Sequence, residues 1–284
     1  VVFLQAMKKT GLFIVTCCTL LSVSCNREYN KVMKSSDIAL KLDKANEYYN
    51  KGQYEKALPL FEEHLTLNKG IKNSEDVLFL YAYSHYYLKD YAMASFYFKN
   101  FCSSYPTSKR AEEASFMMAK SFQMESPRYN LDQSNTLKAI EQYQNFVNKY
   151  PKSERVSDAN EAIDQLRAKL QKKAYENALL YYKIKQYQAA SVALKALLKD
   201  YPGIDNPERI HLLAIRSMKL YADNSVGNKR LERYENAAKE IILFREKYPE
   251  NPYTREINEL YDKIISQIKS IENEQTAGKE KRGK

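Results

Sequence analysis

From Asp37 onward, apolar residues recur three, four and seven positions apart, the spacing that gathers them on one face of a helix. A longer period overlies this one. An aromatic residue, an alanine three positions on and a large apolar residue four further on recur as Tyr54, Ala57, Phe61; Tyr91, Ala94, Phe98; Tyr187, Ala190, Leu194; and Tyr234, Ala237, Ile241. Thr136, Ala139 and Tyr143 form a variant copy. After all but the first copy comes a Tyr-Pro pair, with the proline 12 residues beyond the alanine: Tyr105-Pro106, Tyr150-Pro151, Tyr201-Pro202 and Tyr248-Pro249. The first copy has Lys69-Gly70 there instead. Proline lacks an N–H and crowds the preceding turn, so each copy reads as a helix stopped at a set length. Its small alanine lets a neighbouring helix approach closely.

These helices are the second members of hairpins. The first members are predicted over Asp37 to Lys51, Ser74 to Leu88, Lys109 to Met124, Glu154 to Lys185 and Pro207 to Ala222, with Ser108, Ser153 and Asn251 as N-caps after the prolines. An insert, Glu125 to Asn135, enters the third hairpin. Ala45, Tyr48, Gly52, Tyr54, Ala57 and Phe61 resemble the tetratricopeptide repeat, a helix-turn-helix unit, and Ala82 to Pro106 fits comparably well. Later copies are stretched, their prolines 45, 51 and 47 residues apart. One such hairpin cannot bury its apolar face alone, so neighbours must stack. The expected fold is all-α: a right-handed superhelix of about five tetratricopeptide-like hairpins, enclosing a concave groove and closed by a C-terminal capping helix over Tyr253 to Ile271. Residues 37–151 would form the N-terminal repeats, 152–272 the C-terminal repeats and cap, and 273–284 a mobile polar tail.

The N-terminus follows another logic. Met7-Lys8-Lys9, the 12-residue apolar stretch Leu12 to Val23 and the small residues before Cys25 form an export signal over residues 1–24. As a helix that stretch rises only about 18 Å, short of a membrane span. Val1 to Ala6 precede the first Met, as expected of an overlong start or an alternative start codon. Ser22-Val23-Ser24-Cys25 resembles a bacterial lipobox, in which the cysteine is acylated and becomes the new N-terminus. Cys25 is therefore the expected lipid anchor, with residues 25–36 a polar tether. Two or three acyl chains hold a protein stably at a bilayer.

Little chemistry is on offer. With the signal removed, 43 Lys+Arg stand against 35 Asp+Glu, a charge of +8 interleaved with acids rather than gathered in a stripe, so no nucleic-acid partner is expected. Cys102 would be the lone free thiol, read as a packing residue beside Phe101. His64, His85 and His211 have no ligand spacing, the seven glycines are isolated, and Glu62-Glu63 and Glu112-Glu113 diverge on their helices as a solvated face. No catalytic residue, metal or cofactor is nominated, and the chain is not expected to be an enzyme. The first helices would line the groove, which nominates Asn46, Tyr49, Tyr83, Tyr86, Tyr87, Lys120 and Gln123 for partner binding, since tyrosine buries apolar area while its hydroxyl hydrogen-bonds.

A lipobox followed by five such repeats, with Tyr-Pro endings and a long fourth first helix, is similar to the BamD family of outer membrane assembly lipoproteins. Asp132, Ala139, Phe146 and Tyr150-Pro151-x-Ser153, then Tyr181-Tyr182 and Ala189-Ala190, carry the resemblance most closely. It implies a scaffold anchored in the outer membrane and facing the periplasm, with a β-barrel insertase, other assembly-machinery subunits and unfolded barrel precursors as partners. The N-terminal repeats would receive precursors and the C-terminal repeats would dock the insertase. Where the family carries a partner-contacting Arg, this chain has Lys219, with Arg216 one turn earlier. Another exported repeat lipoprotein, organising cell-division or envelope-polysaccharide proteins, would share the fold with other partners.

Overall fold

Proline and alanine act in the structure as their spacing requires. The computed structural model of the chain describes residues 27–67, 74–227 and 229–282; the expected export signal and Cys25 lie outside them. The described elements are helical: a segment at 27–33, then α1 (Ile38–Asn50), α2 (Tyr54–Leu67), α3 (Ser74–Tyr87), α4 (Tyr91–Ser104), α5 (Ala111–Met124), α6 (Ser134–Lys149), α7 (Val156–Lys183), α8 (Tyr187–Asp200), α9 (Pro207–Asp223), α10 (Lys229–Lys247) and α11 (Thr254–Arg282). Ala57, Ala94, Ala139, Ala190 and Ala237 are all completely buried. So are Phe61, Phe98, Leu194 and Ile241, each four residues on from its alanine.

The Tyr-Pro pairs end their helices in one way. Tyr105, Tyr150 and Tyr201 are C-caps with φ between −126° and −130° and ψ between 60° and 73°, out of the helical region that a following proline disfavours. Their N–H groups still donate to the carbonyl four residues back at 2.8–3.0 Å. Three of the turns inside the hairpins are equally regular. Gly52, Lys89 and Lys185 have φ of 71°, 63° and 62°. At each, the next N–H bonds five residues back, as from Gln53 to the Tyr48 carbonyl at 2.8 Å, the Schellman closure.

A second repeated device was not anticipated. Ser108 and Ser153 do not sit at the N-cap as expected, since α5 is capped by Arg110 without a side-chain bond; in the turn leading into each helix they accept the N–H of Arg110 at 3.0 Å and of Arg155 at 3.1 Å. They also donate to the first helix of the preceding hairpin, Ser108 to Glu75 at 2.5 Å and Ser153 to Glu112 at 2.6 Å. Arg110 pairs with Asp76 and lies 5.0 Å from the Phe79 ring centre; Arg155 lies 3.9 Å from Glu113 and 5.5 Å from the Phe116 ring. Glu112 and Glu113 therefore diverge, as expected, but are working groups rather than a solvated face.

Two compact units emerge, one up to Leu166 and one from Arg167. The division falls inside α7 rather than at 151/152. At 28 residues α7 is twice as long as α8, about 42 Å at the helical rise. Ala159, Ile163 and Leu166 from its first part are buried within the first unit, whereas Ala178 belongs to a second-unit core with Leu194, Leu197 and Ala214.

The described residues of the expected tether and tail are mostly helical. In place of a plain tether, 27–33 is helical: Val32 is buried, Tyr29 meets Tyr48 edge-on at 5.8 Å, and Glu28 pairs with Lys44 at 2.8 Å. Tyr29, Val32 and Met33 make an apolar stripe that the polar composition of the segment hides. At the other end α11 runs past Ile271 to Arg282, because Glu272 to Ala277 are mostly good helix formers with nothing to stop the helix.

Candidate functional site

Five of the seven residues nominated from the first helices fall together in the first unit. Tyr87, 47% exposed, stacks on Tyr54 at 4.6 Å and on Tyr83 at 5.7 Å. Tyr49 meets Tyr54 edge-on at 5.3 Å, and Tyr86 meets Tyr91 at 5.4 Å and Tyr87 at 6.0 Å. Gln123 joins through Tyr143, whose hydroxyl donates to it at 2.6 Å, with Tyr86 alongside. Tyr83 donates to Glu113, its ring buried. Burial pushes the phenols of Tyr49, Tyr83, Tyr86 and Tyr87 upward, and neighbouring tyrosines and Glu113 add to the rise. They remain neutral hydroxyls at any physiological pH.

Asn46 and Lys120 stand apart from this assembly. Asn46 is half-buried one turn before Tyr49, and the Lys120 ammonium lies 6.0 Å from the Phe116 ring centre. Sequence reasoning missed Tyr54, Tyr91 and Glu113. The two tyrosines open their second helices in the repeat pattern and read as core, yet that position sits beside the hairpin turn and stays partly exposed. A signal was present: Tyr49/Tyr54 and Tyr86/Tyr91 are both pairs five residues apart across a turn.

In the second unit, Arg216 and Lys219 on α9 are already engaged. Arg216 donates through Nε to Glu256 of α11 at 2.7 Å, and Lys219 donates to Asp223 one turn on at 2.6 Å. Lys219 and Asp223 line a cavity of about 570 Å³ with Arg230, Tyr234, Asp262 and Lys263. Tyr234 donates to Asp223 at 2.6 Å, and the Arg230 Nε is buried with no hydrogen-bond partner.

The other candidates have local roles. Cys102, half-buried, lies 3.7 Å from the Ala111 carbonyl, and burial raises its thiol pKa. His85 approaches Asp90 at 3.0 Å and His211 approaches Glu240 at 2.8 Å; His64 is buried with neither ring nitrogen bonded. Among the described residues no cluster of His, Cys, Asp or Glu could hold a metal, and no helix is long and apolar enough to cross a membrane.

Residues 40–231 match a family model described as YfiO, outer membrane lipoprotein. A protein of Aquifex aeolicus (strain VF5) assigned as outer membrane protein assembly factor BamD is 29% identical over 240 residues, covering 82% of this chain and 74% of its own length. Among solved structures, the TPR2AB domain of yeast Sti1 in complex with an HSP90 peptide superposes with a TM-score of 0.37 at 15% identity, over 80% of this chain and 98% of its own. A thermophilic TPR protein of Thermus thermophilus gives 0.33 at 16%, over 81% and 99%. Superpositions this loose add nothing to what the hairpins themselves establish.

Proposed function

Because the chain belongs to the YfiO family of outer membrane lipoproteins, we propose that it is a lipid-anchored scaffold of β-barrel assembly, held at the periplasmic face of the outer membrane through Cys25. It acts by binding, without covalent chemistry. The observation that carries this reading is the ladder of tyrosines on the first helices of the first unit. Rigid rings with polar tips suit the capture of extended segments whose sequences vary, because area is buried at little entropic cost. Tyr49, Tyr83 and Gln123 form the wall offered to an unfolded barrel precursor, Asn46 and Lys120 flank it as separate contacts, and Tyr86 and Tyr87 lie at its rim beside the turns.

The second unit is the proposed insertase dock. Arg216 and Lys219 reach a partner carboxylate only by exchanging Glu256 and Asp223 for it. Lys219 supplies a point charge there rather than a forked guanidinium contact. Affinity capture from detergent extracts of the native membrane tests the assignment. Recovery of a barrel insertase, reduced in Arg216→Ala, is the expected result; recovery of wall-synthesis or division proteins alone would overturn it. Tyr83→Ala is expected to weaken precursor binding while leaving insertase recovery intact.

A further inference from the structure

We propose that the turn edge of the first two hairpins rests in the headgroup layer of the bilayer, making Tyr54, Tyr86, Tyr87 and Tyr91 a membrane-interface belt. This goes beyond partner binding and rests on the reading of Cys25 as the lipid anchor.

The path of the chain carries the argument. The 27–33 segment turns back along α1: its end leads into the α1 N-cap Asp37, while Glu28 pairs with Lys44 at the middle of α1 and Tyr29 packs on Tyr48 near its far end. Followed toward the N-terminus, the chain therefore heads for the α1–α2 turn at Lys51 to Gln53. Cys25 stands two residues before Arg27, within about 7 Å of fully extended chain. A docked segment in place of a floppy tether leaves the acyl chains little freedom, so the edge they approach is presented to the bilayer at high effective concentration.

That edge has the chemistry of an interface. Tyr54 begins α2 and Tyr91 begins α4, while Tyr86 and Tyr87 end α3, so all four sit at hairpin turns. Their rings are in mutual contact. Amphipathic rings favour the headgroup level, and the stems of Lys51, Lys56 and Lys89 can lie along apolar surface with their ammonium groups in water. The edge is not strongly cationic, since Glu47, Glu55 and Asp90 share it and Glu47 already pairs with Lys44 and Lys51. Attraction therefore comes chiefly from the rings, and contact should change little with added salt.

Photo-crosslinking tests this in the full acylated chain reconstituted into vesicles of phosphatidylethanolamine and phosphatidylglycerol. p-Benzoylphenylalanine replaces Tyr87 or, as a control, Leu67. Leu67 is 57% exposed and ends α2, at the opposite end of the hairpin, where Lys41 pairs with Glu63. Lipid adducts several-fold more frequent at position 87 than at 67, and largely insensitive to salt, are expected. Equal frequencies would overturn the proposal, as would adducts to protein rather than lipid at position 87 in native membranes. Radioactive palmitate incorporation into the same preparations reports on the anchor separately. Labelled chain with equal adducts retires the membrane edge and keeps the anchor; unlabelled chain with adducts concentrated at position 87 retires the anchor and keeps the edge.

Discussion

Two buried side chains make acid stability legible, one in each unit. His64 in α2 is 8% exposed and bonds through neither nitrogen, and burial lowers its pKa from the ordinary 6.5. The unfolded chain takes up this proton first, so the contribution is intact above pH 6.5 and is lost as pH falls toward the lower folded value. Glu240 in α10 is 7% exposed. The His211 imidazole, and then the Lys195 ammonium, hold its carboxyl at about 2 against the burial that opposes them. Its contribution is full above the unfolded value near 4.5 and disappears as pH falls toward 2. Chemical denaturation across pH checks both: His64→Leu should flatten the profile just below pH 6.5, and Glu240→Gln the profile below 4.5. The second substitution should also cost on the order of 2 kcal/mol at neutral pH, the worth of a buried charge-assisted hydrogen bond. Neither role was visible in the sequence, where the histidines lacked ligand spacing and the partners of Glu240 stood 29 residues or more away.

At the scale of the element, the helices are specified locally and their turns are not. Apolar spacing and the Tyr-Pro stops placed the helix ends within a few residues, the end of α11 excepted, because periodicity and a missing N–H act along the chain. The left-handed turn residues escaped notice at Lys89 and Lys185, where a lysine occupies the place of Gly52. A side chain there strains against the following carbonyl. Lys89→Gly should accordingly raise stability by about 0.5–1 kcal/mol, read as a higher urea midpoint with unchanged slope. A polar turn at Ser108 and Ser153 was readable, but their bonds to Glu75 and Glu112 were not, since these join residues 33 and 41 positions apart. The same limit explains the terminal segments. Asn26 to Lys31 looks polar until α1 supplies a surface for Tyr29 and Val32.

For the whole molecule, stability is a chain of neighbour contacts within each unit: α1 to α6 pack each on the next, as do α8 to α11, and α11 also reaches back to α9. Ala94→Leu inserts bulk where α4 has no room and should cost roughly 1–3 kcal/mol. Hydrogen exchange should show the damage concentrated in α3 to α6, with α9 to α11 nearly unaffected; uniform acceleration throughout would mean the units unfold together. What the sequence determined by itself was the all-helical hairpin array, its alanine contacts and its proline stops, all written in short spacings. Only the tertiary structure decided where the units divide, which tyrosines meet, and that Arg216 and Lys219 are paired before any partner arrives. Those outcomes depend on side chains tens of residues apart being brought within a few ångströms, and no local period encodes that distance.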